Sequence, residues 1–229
     1  MSARYAVYLA PHPEDALNNM SAQWLGRSPW SAGPLDPPAV FGQHTTLWRE
    51  IIAAPRHYGF HATLRAPFEP SAGYSEDALI ETVSNFTASG PPLYLNLRVR
   101  FLSVFMAFLA EDQEAVAQLG EDLLEVCEPF RSPLSEHDRA RRLKAPLSER
   151  QIRNLDAWGY PYVGEDFLFH MTLSGPVAEE HRAWLQEAAE AWFAETLAGP
   201  VQFKGLAIFH QPDRDTPFRG IHFAPFGTR

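Results

Sequence analysis

Two histidines in this sequence lie in closely similar surroundings and could act together as an acid and a base. The stretches YGFHATLRAPF and FLFHMTLSGPV align so that His61 and His170 occupy the same position, and Thr63 and Thr172 follow them at the same offset. Histidine has an unperturbed pKa of about 6.5, so one copy can be neutral while the other is cationic near neutral pH. The repeated motif therefore predicts general acid–base catalysis by His61 and His170.

The His-x-Thr spacing also predicts the direction of each side chain. Residues two apart on a strand share a face, so each motif presents an imidazole beside a hydroxyl while Leu64 and its counterpart face a core. Displacement at a phosphodiester needs a base, an acid and donors to the non-bridging oxygens, and Thr63 and Thr172 are the expected donors. No metal or other cofactor is expected, because the motif is not His-x-His and no carboxylate adjoins it.

Four further side chains near the motifs are candidates for binding the substrate. Arg65 comes at the next same-face position after Thr63 and could extend the phosphate site, although Ser174 takes its place in the second copy. Tyr58, Tyr160 and Tyr162 could stack on a base or a sugar. Packing in the core is the alternative role for the three tyrosines.

A basic run near the middle of the chain is the clearest cluster of cations. It begins at Arg139 and includes Arg142 and Lys144. Because the run lies between the two motifs, it could form a flap that supplies positive charge to an anionic substrate. A solvated surface without a binding role is the alternative interpretation.

The elements that must position the motifs alternate between strands and helices, which predicts an α+β fold with mostly antiparallel sheets flanked by helices. We expect one bilobal domain over residues 1–229, with two pseudo-symmetric lobes and a long insertion at about 111–165 between the motifs. The expected strands are 4–10, 59–66, one or two within 93–110, 167–174, 201–210 and 218–224, and the expected helices are 14–25, 75–87, 112–127, 148–158 and 178–197.

Composition and charge restrict the classes of molecule that the protein is expected to bind and the compartment in which it is expected to work. The net charge of −9 disfavours a nucleic-acid partner, which needs a basic surface, but is compatible with a small anionic phosphate bound by a few local cations. Cys127 is the only cysteine, which fits a reducing compartment. No signal peptide and no apolar run of about 20 residues is recognisable, so we expect a cytoplasmic protein without a membrane span. The sequence leaves the oligomeric state open.

The paired His-x-Thr-Leu motifs resemble those of the two-histidine (2H) phosphoesterase superfamily. The segments YAVYLAP, WGYPY and those around the two motifs are similar to the DUF1045 type, a family often encoded in bacterial phosphonate-utilisation operons. The resemblance covers essentially the whole chain. It implies a bilobal fold with the motif strands at its centre, catalysis by His61 and His170, phosphate binding by Thr63 and Thr172, and a cyclic phosphate or phosphodiester substrate.

Three functions are therefore compatible with the sequence. The first is a metal-independent phosphoesterase that acts on a small cyclic phosphate or phosphodiester, with phosphonate metabolism as its context. The second is an enzyme that processes or ligates RNA ends with a 2',3'-cyclic phosphate. The third is a non-catalytic module that binds a phosphorylated metabolite. The duplicated histidines favour an enzyme over a module, because binding alone needs only donors such as Thr and Arg.

Overall fold

Strands and helices alternate along residues 3–227, the part of the chain that the computed structural model describes. The strands are β1 (Arg4–Leu9), β2 (Ala62–Phe68), β3 (Leu93–Leu95), β4 (Leu97–Leu102), β5 (Phe105–Ala110), β6 (Met171–Pro176), β7 (Val201–Phe203), β8 (Gly205–Gln211) and β9 (Arg219–Pro225). The α-helices are α1 (Ala16–Trp24), α2 (Thr45–Ile52), α3 (Glu76–Ala88), α4 (Glu114–Cys127), α5 (Glu136–Arg142), α6 (Glu149–Trp158) and α7 (Glu179–Phe193). Residues 1–2 and 228–229 of the predicted domain lie outside the described residues.

The first motif lies in a four-stranded antiparallel sheet with the order β2-β1-β8-β9. The two faces of β1 have different surroundings, since alternate side chains of a strand point to opposite faces. Val7 and Leu9 belong to the main hydrophobic core, and Ala6 and Tyr8 belong to a smaller cluster on the opposite face. The face that carries Tyr8 is the one that contributes to the candidate site.

The second motif lies in a separate three-stranded antiparallel sheet with the order β4-β5-β6, and β3 pairs with β7 in a short antiparallel ladder. The motif strands β2 and β6 belong to different sheets, and they contact each other. The predicted α+β class with antiparallel sheets is confirmed. The two-fold relationship between the lobes stays a prediction.

Both motif strands begin later than the expected positions, residues 59 and 167. β2 starts at Ala62 and β6 at Met171, so each catalytic candidate histidine directly precedes its strand. The imidazoles therefore lie at the ends of the two strands and not within them. At this position each ring can form a hydrogen bond with the backbone of the residues that precede its strand.

The helices α5 and α6 lie between the motifs, and their ends have clear chemical causes. Ser135 and Ser148 cap their first turns by accepting hydrogen bonds from backbone amides, and Gln151 completes a capping box at α6. α6 ends at Gly159, whose φ of 72° is easily adopted only by glycine. The left-handed glycine redirects the chain as it leaves α6.

Two helices were not predicted from the sequence. α5 contains much of the basic run, with Arg142 as its last residue, and its seven residues are too few and too polar to show an apolar period. α2 has an apolar side with Trp48, Ile51 and Ile52 buried, but it is short and has no side-chain cap to mark its start.

Candidate active site

The two motif histidines make the same hydrogen bond. Nδ1 of His61 is 2.9 Å from the carbonyl oxygen of Gly59, and Nδ1 of His170 is 2.8 Å from that of Leu168. A carbonyl oxygen can only accept, so Nδ1 of each ring must carry a proton. In a neutral ring Nε2 then has the free lone pair, and this nitrogen is available for proton transfer.

The four motif side chains line one open cavity of about 420 Å³. His61 and Thr63 enter it from the first motif, and His170 and Thr172 from the second. The other lining residues are predominantly basic or aromatic, namely Arg4, Tyr8, Tyr58, Ala66, Pro67, Arg141, Arg142 and Tyr160. The described lining contains no carboxylate, so the cavity is cationic although the chain carries a net charge of −9.

The imidazole of His61 is partly desolvated. The ring of Tyr8 stacks on it with the centroids 3.7 Å apart and an angle of 22° between the planes. Burial lowers the pKa of His61 to about 4; the hydrogen bond to Gly59 acts in the opposite direction, and a charge on His170 lowers the pKa further. His61 is therefore neutral at physiological pH, and the two imidazoles are close enough for their charges to interact.

The arginines of the cavity differ in how they are held. Nε of Arg4 donates to Oε1 of Gln211 at 2.8 Å, and its guanidinium lies over the ring of Phe218. Arg142 lies over the ring of Tyr160, 5.3 Å from its centroid. Neither arginine forms an ion pair with a carboxylate in residues 3–227. Burial lowers the pKa of both guanidiniums, and the charge of Asp138 acts on Arg142 in the opposite direction.

A buried carboxylate anchors α5 next to the cavity. Both terminal nitrogens of Arg214 donate to Asp138, at 3.0 and 2.6 Å, and one also donates to Glu69 at 2.9 Å. Arg141 pairs with the same carboxylate at 2.9 Å. Asp138 thus ties the helix that carries Arg141 and Arg142 to the loop between β8 and β9.

The prediction that Arg65 shares a face with Thr63 is wrong. Thr63 pairs with Tyr8 of β1, whereas Arg65 pairs with Val7, so Leu64 is an extra residue in the ladder. Such a bulge interrupts the regular alternation of side chains and turns Arg65 to the core side. Arg65 is 1% exposed and donates to Glu128 at 2.8 Å and to the carbonyl oxygen of Trp158 at 3.1 Å. These bonds hold its guanidinium in the interior, and Arg65 does not line the cavity.

The other predicted binding residues divide into two groups. Tyr58, which is 39% exposed, and Arg142 line the cavity, as the sequence suggested. Lys144 is exposed and is not among the lining residues, because α5 ends before it. Tyr162 is 41% exposed and contacts Tyr160 edge-on, but Tyr160 is the tyrosine of this segment that lines the cavity.

Sequence reasoning missed two lining residues on the first strand. Arg4 and Tyr8 lie on the same face of β1, four residues apart, and alternate with the core residues Val7 and Leu9. This alternation indicates a strand with one core face, but by itself it does not distinguish a binding face from a solvent-exposed one. Their role becomes visible only when β1 is known to pair with β2.

The described residues offer few ligands for a metal. No group of three or more His, Cys, Asp or Glu side chains in residues 3–227 has a geometry that could hold an ion. Within the same part of the chain, no helix has the length and apolar character needed to cross a membrane.

The fold and the cavity together define an α+β protein with two oriented histidines in a cationic cavity. The model of the DUF1045 family, described as a protein of unknown function, matches residues 63–219. The chain belongs to this family. His61 lies two residues before the matched region, and Thr63, His170 and Thr172 lie within it.

Two curated relatives carry the same name, ribose 1,5-bisphosphate phosphokinase PhnN. The one from Janthinobacterium sp. (strain Marseille) is 32% identical over 229 residues, which covers 97% of this chain and 51% of the relative. The one from Laribacter hongkongensis (strain HLHK9) is 34% identical over 218 residues, with 94% and 50% covered. The chain thus spans about half the length of the curated relatives it matches.

A solved structure also aligns with this chain, but only loosely. It is the crystal structure of the conserved protein of unknown function ATU0111 from Agrobacterium tumefaciens str. C58. The alignment has a TM-score of 0.43 and 13% sequence identity, and covers 97% of this chain and 86% of the other. A likeness at this level carries no argument about the site.

Proposed function

We propose that this protein is a metal-independent phosphoesterase of the two-histidine type, which acts on a small cyclic phosphate or phosphodiester. The observation that carries the proposal is the matched orientation of His61 and His170. Each has Nδ1 bonded to the carbonyl oxygen two residues earlier, and both line one cavity together with Thr63 and Thr172. The same geometry supports membership of the 2H phosphoesterase superfamily.

The proposed hydrolysis is an in-line displacement with two proton transfers. Nε2 of neutral His61 takes a proton from water as the water oxygen bonds to phosphorus. The bond from phosphorus to the leaving oxygen breaks, and protonated His170 donates a proton to that oxygen from Nε2. The lowered pKa of His61 supports its assignment as the base. Solvent then restores both protonation states.

The remaining cavity side chains stabilise the charge that develops on phosphorus. The hydroxyls of Thr63 and Thr172 donate to the non-bridging oxygens, where negative charge develops. Burial raises the pKa of Tyr160 to about 12, so its hydroxyl stays neutral and can also donate. No step needs a metal ion, because proton transfer and charge stabilisation are both supplied by side chains.

The names of the relatives support a sugar phosphate as the substrate class. Those proteins are named for a kinase that acts on a ribose bisphosphate, and this chain corresponds to half of their length. Its two lysines, Lys144 and Lys204, do not stand in the Gly-rich loop followed by Ser or Thr that holds nucleotide phosphates in P-loop kinases. We therefore assign this half a separate reaction on a phosphorylated sugar, in the context of phosphonate metabolism.

The experiment is a panel of cyclic phosphates incubated with the protein in EDTA. The panel includes ribose 1,2-cyclic phosphate and nucleoside 2',3'-cyclic phosphates, and phosphorus NMR follows ring opening. We expect turnover of at least one compound by the wild type and none by the His61→Ala/His170→Ala variant. Equal turnover by the double variant would contradict the proposal.

A further inference from the structure

The cavity holds more positive charge than one scissile phosphate requires. The motif residues already provide two hydroxyls and two imidazoles for that group. Arg4, Arg141 and Arg142 line the same cavity in addition. Arg4 and Arg142 are partly or wholly buried there without an ion-pair partner among the described residues. Such burial has a large cost in solvation, so a protein that keeps such cations in a cavity normally uses them to bind an anion.

The arginines lie away from the histidines, toward one end of the cavity. A small adjoining recess is lined by Arg4, Arg141 and Arg142 but by none of the four motif side chains. It also contains the carboxylates of Glu69 and Asp138, which pair with Arg214 and, for Asp138, with Arg141 as well. A second adjoining recess, of about 270 Å³, is lined by His61 and Thr172 and is mostly apolar. The cavity therefore has a reactive end near the histidines and a cationic end near α5.

Strand geometry gives the scale of this separation. Tyr8 stacks on His61, and Arg4 lies four residues earlier on β1. At about 3.3 Å per residue, their Cα atoms are ~13 Å apart along the strand. The long side chain of Arg4 can bring its guanidinium closer to the motif, but its backbone lies at the end of the cavity away from the histidines. A phosphate held between the histidines would leave this end of the cavity free.

Arg142 is the arginine with the most unused binding capacity. Its Nε is buried and has no hydrogen-bond partner among the described residues. The ring of Tyr160 supports one face of the guanidinium without occupying its N–H groups. By contrast, Arg141 pairs with Asp138. A planar guanidinium with free N–H groups matches two oxygens of a phosphate.

We propose that the cationic end is a second phosphate subsite, so that the substrate carries a phosphomonoester in addition to the scissile phosphate. Arg142 and Arg4 bind the phosphomonoester, and Arg141 adds positive charge beside it. This inference rests on the proposed function only for the identity of the scissile group. The subsite itself is a binding site that exists whether or not the histidines catalyse.

The binding test uses two stable ligands that differ by one phosphate, adenosine 3',5'-bisphosphate and adenosine 3'-monophosphate. Calorimetry on the wild type should show at least about tenfold tighter binding of the bisphosphate, since a charge-assisted hydrogen bond contributes that much or more. Arg142→Gln should remove the preference. Arg153→Gln, which changes an exposed arginine of α6, should retain it. Equal binding of both ligands by the wild type, or no binding of either, would overturn the subsite.

The kinetic test compares adenosine 2',3'-cyclic phosphate with its 5'-phosphorylated form. We expect Arg142→Gln to lower kcat/KM for the phosphorylated compound about tenfold or more and to leave the unphosphorylated one nearly unchanged. For Arg142→Lys the value of kcat/KM for the phosphorylated compound should be intermediate, because lysine keeps the positive charge but lacks the planar guanidinium that binds two oxygens at once. An equal loss on both compounds would overturn the inference. If neither compound turns over while the bisphosphate preference persists, the proposed function fails and the subsite stands.

Discussion

The ring of Tyr8 stacks on the ring of His61, with the centroids 3.7 Å apart. Tyr8 is fully buried, and its strand neighbour across the ladder is Thr63, so one tyrosine contacts the histidine and borders the threonine of the same motif. The stack removes water from one face of the imidazole. Loss of water disfavours the charged ring, and this links the fold of β1 to the protonation state of the proposed base.

The pH profile should show this link directly. Burial lowers the pKa of His61 to about 4, so its neutral form persists as the pH falls below 6.5 and is lost only near 4. We expect kcat/KM, which reports the free enzyme, to have an acid limb with its midpoint well below 6.5. An acid limb centred at 6.5 or higher would mean that an unperturbed histidine acts as the base.

Changes at Tyr8 should move that limb in a defined direction. Tyr8→Phe keeps the stacked ring, so the acid limb should stay where it is in the wild type. Tyr8→Ala lets water reach His61, so the pKa of the histidine and the midpoint of the limb should rise toward 6.5. Circular dichroism checks that both variants fold. A limb that stays in place in folded Tyr8→Ala would show that Tyr8 does not cause the shift.

The motif threonines should contribute to binding of the charged phosphate. Thr63→Val and Thr172→Val preserve shape and remove a hydroxyl, so each should lower kcat/KM by about 10–100-fold, the usual range for a hydrogen bond to a charged group. The control is Thr196→Val, which removes a hydroxyl that bonds the carbonyl oxygen of Phe193. If the motif variants and the control behave alike, the threonines do not contact the substrate.

The anchor of α5 should affect both stability and activity. Asp138→Asn weakens the pairing with Arg214 and Arg141, so we expect the free energy of unfolding in urea to fall by about 1–3 kcal/mol. Because α5 carries Arg142 into the cavity, kcat/KM should fall as well, mainly through a higher KM. The matched control is Glu111→Gln, whose ion pair with Arg98 is exposed and does not involve α5. Full activity of Asp138→Asn would show that α5 needs no anchor.

The sequence alone was sufficient to identify the residues of the site that belong to the duplicated motif. The duplicated motif indicated His61, His170, Thr63 and Thr172, and all four line one cavity. Local pattern could not reveal the bulge that turns Arg65 inward, because a bulge depends on how β2 pairs with β1.

Tertiary contacts also decided which of the remaining candidates reached the cavity. Arg142 reaches it because Asp138 anchors a helix too short and too polar to be recognised from periodicity. Arg4 and Tyr8 join the site because β1 lies at the centre of its sheet. Such residues become recognisable only when pairing between distant segments is known.

The most direct test of the two-histidine mechanism is the turnover of a cyclic phosphate in EDTA by single variants. Proton transfer by a positioned side chain typically contributes 10²–10⁴-fold, so His61→Ala and His170→Ala should each lower kcat by about that factor. His181→Ala, which changes an exposed histidine of α7, should leave kcat unchanged. Near wild-type turnover by either motif variant, or loss of wild-type activity in EDTA, would contradict catalysis by this pair of histidines.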